Sequence, residues 1–394
     1  MRVVVSGGGT AGHILPTLAT SDALKSLDSS IELLYIGQAG GMEAKIVTAA
    51  GLDFAPISAG KFRRNHFDSK FAKLMNLSTL GPNARDGLRT IQGVTQALRI
   101  LRKFKPDVVF LKGGFVCMPV GIAARMLGVP FVIHESDVTP GITNRVLSRW
   151  AAKIAVGFPV KSYQVFDPAK LVYVGNPVRQ DILKAHRLEG LAHFGLDDKR
   201  PVILITGGSQ GAAQINSVVL GSVAELVEKY QVIHQAGESD IGRVQFELSR
   251  MGKIAHIERY HSFGFLTADM GLALAAADLV VGRAGVNTIN DCAVLAKPTI
   301  LIPNYEMAGH QVENARVLSR LGAVRVLDGA RLTPAGFVAE IDRVLSSDEE
   351  QERLSKAIHA FARLEAASDM AKLVLETGRR HRSVKQKPNM EPNE

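Results

Sequence analysis

The stretch VVVSGGGTAGHILP, residues 3–16, decides the fold. Three valines form a short apolar run, which breaks into Gly7, Gly8 and Gly9 and continues through Thr10, Ala11, Gly12 and His13 to Pro16. A short, continuously apolar run bounded by glycine reads as a strand buried on both faces. The glycines let backbone N–H groups approach a ligand without side-chain interference. The following helix points its positive end at the same spot, which makes the turn a candidate phosphate cradle. A tight strand-to-helix turn also needs glycine, so this turn alone does not separate the two readings. His13, at the start of the helix, is either a ligand-facing group or a capping and packing residue.

The pattern recurs. RPVILITGGSQGA, residues 200–212, restarts it, and LKGGFVCMP, residues 111–119, repeats the glycine turn after an apolar run. The spacing is not the G-x-G-x-x-G of dinucleotide sites, with its acidic residue about 20 positions on, which disfavours a nicotinamide-dependent oxidoreductase. Strands are expected at Val3–Ser6, Glu32–Ile36, Val108–Leu111, Phe131–His134 and Ile154–Val156. A second set is expected at Val202–Thr206, Gln231–Gln235, Ala255–Ile257, Leu279–Val281 and Thr299–Pro303. Helical patterns separate them; before Pro106, Ile91, Val94, Leu98 and Leu101 share one face. The fold class is therefore α/β, with two doubly wound parallel-sheet domains. The boundaries read as residues 1–160 and 161–349. The helical stretch 350–376 can pack on either domain and is grouped with the first, and 379–394 reads as a disordered tail.

Composition sets limits. The chain has 394 residues and is 46% apolar, enough for two domains with large cores. The most apolar window, VCMPVGIAARMLGVPFVIH, carries Pro119, Pro130 and Arg125 and is no membrane span. The N-terminus lacks a signal-peptide layout. Cys117 and Cys292 are too few for a disulfide framework, so a reduced, cytosolic compartment is expected. From Lys61 to Lys105 there are eleven Lys or Arg against Asp68 and Asp86, so this segment holds the whole net charge of +9. A single basic block points to an anionic surface rather than to nucleic acid.

Five motifs, GGGTAGHILPTLA, HESDVTPGITNR, VGNPVRQDIL, GGSQGAAQIN and AGHQVENA, lie in this chain in the order found in the MurG family. These are the UDP-N-acetylglucosamine–N-acetylmuramyl-(pentapeptide) pyrophosphoryl-undecaprenol N-acetylglucosamine transferases. The resemblance spans residues 2 to about 376. It implies a GT-B architecture, two Rossmann-like domains facing a cleft, and inverting transfer of N-acetylglucosamine to a polyprenyl-diphosphate-linked acceptor in peptidoglycan synthesis.

Site residues follow from the same resemblance. Ser209 and Gln210 are expected at the donor diphosphate, with Arg179 as the cation meeting its charge. Val286, Asn287 and Thr288 are expected to present a helix N-terminus to the α-phosphate. Asp291 stands where the family typically has Glu and is expected to hold the ribose, one methylene shorter. His310 and Gln311 match sugar contacts, and Thr267 and Met270 match the uracil side. Gly113, Gly114, His134 and Asn144 are expected at the acceptor. Thr10, Ala11, Gly12 and Asp137 lie on the loops that face it and are assigned to the donor. Ser136-Asp137 replaces the common Gln-Asn, and the added carboxylate would be mildly repulsive toward an acceptor diphosphate unless it instead orients a donor-sugar group. The attacking hydroxyl needs a base, with His13 the first candidate and Glu135 the second.

No cofactor or metal is expected beyond the donor substrate, although a divalent cation can assist. The block KFRRNHFDSKFAKLMNL interleaves cations with large apolar side chains, which fits the anionic inner membrane surface. Peripheral attachment to the cytoplasmic face follows, where other cell-wall synthesis proteins are allowed as partners. Two enzyme alternatives stay open: a related transferase with another lipid acceptor, and a GT-B sugar-nucleotide 2-epimerase.

Overall fold

The computed structural model describes residues 1–61, 77–208, 211–266, 269–305 and 309–386. The chain divides into two compact units, 1–177 with 365–394 and 178–364.

In the first unit the strands are β1 (Arg2–Ser6), β2 (Glu32–Gln38), β3 (Asp53–Ile57), β4 (Val108–Leu111), β5 (Phe131–Glu135), β6 (Lys153–Val156) and β7 (Leu171–Tyr173). They form a parallel sheet in the order β3-β2-β1-β4-β5-β6-β7. Val3–Val5, Val108–Leu111 and Phe131–Ile133 are essentially inaccessible to solvent, as expected for strands covered on both faces. The order reverses between β1 and β4, and the crevice beyond the carboxyl ends at such a switch point is where doubly wound sheets bind ligands.

In the second unit β8 (Val202–Thr206), β9 (Gln231–Gln235), β10 (Tyr260–Phe263), β11 (Leu279–Gly282), β12 (Thr299–Leu301) and β13 (Arg325–Val326) order as β10-β9-β8-β11-β12-β13, again parallel. Its switch point lies between β8 and β11.

Three expectations need correction. The first unit runs to Pro177, not to residue 160, because β7 completes its sheet. That strand is three half-buried residues, too short to give an apolar run. The expected strand at Ala255–Ile257 is instead β10, a few residues later, set by pairing of Tyr260–Phe263 with Val232–Gln235. The carboxyl-terminal helical region splits. Helix Asp348–His359 stays with the second unit, where His359 Nδ1 lies 3.0 Å from the Ala293 carbonyl. Helix Ala366–Gln386 belongs to the first, with Ala366, Met370, Ala371 and Val374 in its core.

That last helix also overturns the disordered tail as far as Gln386. Residues 379–386 lack apolar periodicity, but Arg382 clamps Asp107 with two bonds of 2.6 and 2.7 Å. The rest of that segment, 387–394, and the centre of the basic block, 62–76, lie outside the described residues. Among the described residues no helix is long and apolar enough to cross a membrane.

Candidate functional site

At the first switch point the turn after β1 meets the turn after β4. The Gly8 N–H faces the Gly113 carbonyl at 3.4 Å. Gly114 has φ +85°, and a Cβ there would stand 2.1 Å from the Gly8 carbonyl oxygen. Glycine is therefore required at 114, both by the left-handed backbone and by the close approach. The turn is anion-receptive, but one of its donors is taken. Glu43, from helix Met42–Ala49 and 1% exposed, accepts the Gly9 N–H at 2.8 Å. Thr10 occupies the cap position of helix Ala11–Leu27 without a side-chain cap bond, and that helix has no acid in its first turn. Its opening N–H groups, those of Ala11 and Gly12 among them, therefore have no capping side chain.

His13 begins that helix. It keeps some exposure, but its Nδ1 is buried without a hydrogen-bond partner, beside Gly113 and Gly114. Desolvation, with the Lys112 charge second, drives its pKa down to about 3. His134 is fully buried, and its Nε2–H donates to the Gly175 carbonyl at 2.9 Å. That bond leaves Nδ1 as a buried acceptor with no partner. Burial also takes His134 well below the ordinary histidine range.

Glu135 ends β5 and is 5% exposed. Its carboxylate accepts from the Asp137 N–H (3.1 Å), the Gly141 N–H (3.0 Å) and Asn144 Nδ2 (3.0 Å). Asn144 also donates to the His134 carbonyl at 2.9 Å, which pins the loop 136–141 across the end of the strand. Burial, then repulsion from Asp137, raises Glu135 to about 7 despite these three donors. The structure thus gathers His13, Gly113, Gly114, His134, Glu135, Asp137 and Asn144 at one sheet end. It also reverses the basicity ranking of the two base candidates.

Two residues in this cluster escaped the sequence reading. Lys112 is 1% exposed and sits against Ser136 Oγ. Its only signal was a lysine at the end of an apolar run. Glu43 gave none.

At the second switch point Gly208 follows β8 with φ +77°, its N–H donating to Thr206 Oγ1 at 3.0 Å. Gly211 has φ +74°, and a Cβ there would lie 2.5 Å from the Ala236 carbonyl oxygen. Ser209, Gln210 and Thr267 lie outside the described residues. After β11, helix Val286–Val294 opens at Gly285 with no side-chain cap and no acid in its first turn. The first turn, which holds Val286, Asn287 and Thr288, therefore directs uncapped N–H groups outward. Arg283, just before it, sits at the same turn with its N–H on the Thr206 carbonyl at 3.3 Å. No role was read for it from the sequence.

Arg179 pairs with Asp181 at 2.7 Å, and its charge reaches Asp291. Asp291, mostly shielded from solvent, has its pKa raised by burial to about 7, with Arg179 opposing and Asp181 reinforcing. Gln311 accepts the Asn304 N–H at 3.1 Å through Oε1. Asn314, fully buried, donates to the Ala284 carbonyl at 3.3 Å and so joins helix His310–Arg320 to the loop after β11. His310 opens that helix, and Met270 opens helix Met270–Ala276. Among the described residues no group of three or more His, Cys, Asp or Glu is placed to hold a metal.

Comparisons with known proteins follow this division. Residues 3–156 match the glycosyltransferase family 28 N-terminal domain, and residues 202–374 match its C-terminal domain. A relative from Clostridium botulinum strain 657 is 36% identical over 87% of this chain and 90% of its own length. It carries the name UDP-N-acetylglucosamine–N-acetylmuramyl-(pentapeptide) pyrophosphoryl-undecaprenol N-acetylglucosamine transferase. Among solved structures, MurG of Acinetobacter baumannii aligns at TM-score 0.69 and 23% identity over 95% of this chain and 99% of its own. A Listeria monocytogenes protein described as a UDP-N-acetylglucosamine 2-epimerase aligns at the same TM-score with 13% identity, covering 100% of this chain and 99% of its own. The two likenesses share a fold of two parallel-sheet Rossmann-like domains and do not separate transfer from epimerisation. The sequence match does, at more than a third identity across nearly the whole of both chains: this protein belongs to the MurG family of glycosyltransferases.

Proposed function

We propose that the protein transfers N-acetylglucosamine from UDP-N-acetylglucosamine to undecaprenyl-diphospho-N-acetylmuramoyl-peptide, the step from lipid I to lipid II in peptidoglycan synthesis. The observation that carries this reading is the match to transferases of that name over 87% of the chain, the N-terminal family domain falling on the first doubly wound unit and most of the C-terminal one on the second.

The reaction is a single displacement. The acceptor hydroxyl oxygen forms a bond to the anomeric carbon as the bond from that carbon to the UDP oxygen breaks, so the anomeric centre inverts. UDP leaves with the electron pair, and the hydroxyl proton goes to a base. Glu135 is that base in our reading. A pKa of about 7 matches a neutral working pH, whereas His13 at about 3 holds its proton too weakly to take one efficiently. Neutral His13, with its bare buried Nδ1, orients the acceptor instead.

Charge developing on UDP is met in the second unit by the uncapped N–H groups at Val286–Thr288, by Ser209 and Gln210, and by Arg179. Asp291 takes the ribose, His310 and Gln311 take the sugar, and Thr267 and Met270 take the uracil. In this reading no metal is required, because backbone dipoles and a cation supply the electrostatic stabilisation. The protein works at the cytoplasmic face of the membrane and attaches peripherally through its basic block.

UDP release and product analysis test the proposal. UDP-N-acetylglucosamine incubated with and without lipid acceptor should yield UDP and a disaccharide lipid only with acceptor. Acceptor-independent formation of the 2-epimer would assign the chain to the epimerases, and UDP release with a different lipid would change the acceptor.

A further inference from the structure

Lys112 stands between β4 and the Gly113–Gly114 pair, yet it is 1% exposed. Lysine is almost never fully buried unless paired. Its ammonium rests on Ser136 Oγ, and Ser136 is flanked in the chain by Glu135 and Asp137. The hydroxyl supplies a neutral hydrogen bond, and the two neighbouring carboxylates supply the counter-charge.

We propose that Lys112 is a positioning residue for the transfer: anchored on Ser136, it holds the loop that carries Glu135 and Asp137 and keeps Glu135 in the ionised form that accepts the proton. The inference rests on the reading of Glu135 as the base. It also answers the question raised by Ser136-Asp137, since the added carboxylate comes with a buried cation to balance it.

The electrostatic surroundings agree. Burial lowers Lys112 to about 8, while Glu135, Asp137 and Cys117 pull it back up. His13 and His134 are both pushed down by its charge. The Glu43 charge also acts on Cys117, and the charges of Glu135 and Asp137 act on Tyr163. Asp137 is the group that repels Glu135, and both carboxylates raise Lys112, the cation of this set. The sign is consistent with the working range. Below about 8 the ammonium is charged, and Glu135 titrates near 7, inside that window.

The test is the pH profile of kcat/KM for the lipid acceptor, in the full chain. Lys112→Met should move the acid limb upward by about one unit or more, the range for losing a nearby opposite charge. For a one-unit shift this is about a fivefold loss at pH 7, recovered at pH 9 to within about twofold of wild type. Lys112→Arg should keep the wild-type limb. Adding Asp137→Asn to Lys112→Met should bring the limb back down, because the repelling carboxylate leaves with its counter-charge. Donor affinity should be unchanged in Lys112→Met and Lys112→Arg.

A purely structural lysine predicts a pH-independent loss. A lysine that binds the acceptor's phosphate predicts a raised acceptor KM with the limb unmoved. Either result overturns the proposal, as does failure of Asp137→Asn to restore the limb. If Glu135→Gln itself turns over normally, the base assignment fails first, and that result is read independently of Lys112.

Discussion

At the ends of β1, β4 and β5 the protein buries Glu43, Lys112, His134 and Glu135, whereas beyond β8 and β11 the described residues include glycines, an uncapped helix and Asp291, which is mostly shielded from solvent. The two sheets are built alike, so the contrast lies in what the loops carry. Backbone N–H groups suffice to hold an anion, because their dipoles are fixed by the fold and need no titration. Moving a proton demands a side chain of matched pKa, and matching requires burial beside chosen charges. The first unit therefore carries the costly groups. Of these, the three charged groups are paired: Glu43 with the Gly9 N–H, Lys112 with Ser136, and Glu135 with three donors. An unpaired buried charge would cost several kcal/mol.

The sharpest way to break the comparison is Glu135→Gln. It should lower kcat by about 10²–10⁴-fold, the usual contribution of a general base, with donor affinity unchanged. His13→Ala should cost less. If the ranking reverses, the base role returns to His13 and the reading from basicity is wrong. Thermal melting of both variants separates loss of the base from loss of the loop that Glu135 holds.

That ranking could not be read from the sequence. His13 and Glu135 were both visible, since glycine turns and the HESD motif mark strand ends. What decides between them is burial, and burial of one residue depends on partners distant in the chain, such as Asn144 and Lys112. The buried strands at Val3–Ser6 and Val108–Leu111 were legible because both faces are covered, which makes the run continuously apolar. The edge strands β3, β7 and β13 were not, because half-buried or two-residue strands leave no such run. Glu43 was invisible for another reason: it approaches the turn from a separate helix.

The basic block extends the contrast to charge, because its sequence falls wholly in the first unit. Replacing Arg63, Arg64, Lys70 and Lys73 by Gln should remove up to about 4 kcal/mol of attraction to vesicles of anionic lipid at low salt. Wild-type protein should detach as salt rises, with screening over about 10 Å at 0.1 M. Co-sedimentation of both proteins checks this, and turnover of a water-soluble acceptor should be the same for both. Equal sedimentation would remove the membrane role from the block.

In the second unit Asp291 is the carboxyl that the proposed function sets against the ribose. Asp291→Ala should weaken UDP binding by about 1.5–3 kcal/mol, the range for hydrogen bonds to a charged group. Asp291→Glu should match or exceed wild type if the pocket keeps the family's depth. Calorimetry on the three proteins decides it, and equal affinities would leave Asp291 as a helix-borne charge with no ligand.

Asp291 also makes a subtler claim about pH. Burial raises its pKa to about 7 in the free protein, so the carboxyl is largely protonated at pH 6 and largely ionised at pH 8. Ribose hydroxyls donate hydrogen bonds, and the ionised carboxylate accepts them best. Binding should therefore lower the pKa and release a proton at pH 6, and affinity should rise with pH. The expected gain for UDP-N-acetylglucosamine from pH 6 to pH 8 is about tenfold, levelling off above 8. The sugar nucleotide is the right probe because its diphosphate is doubly esterified and keeps its charge across that range, which free UDP does not. Asp291→Asn should bind more weakly and lose the pH dependence. If wild-type affinity is flat from pH 6 to pH 8, Arg179 outweighs burial and holds the carboxyl ionised throughout. Asp291 would then bind without titrating, which sets it apart from Glu135 of the first unit.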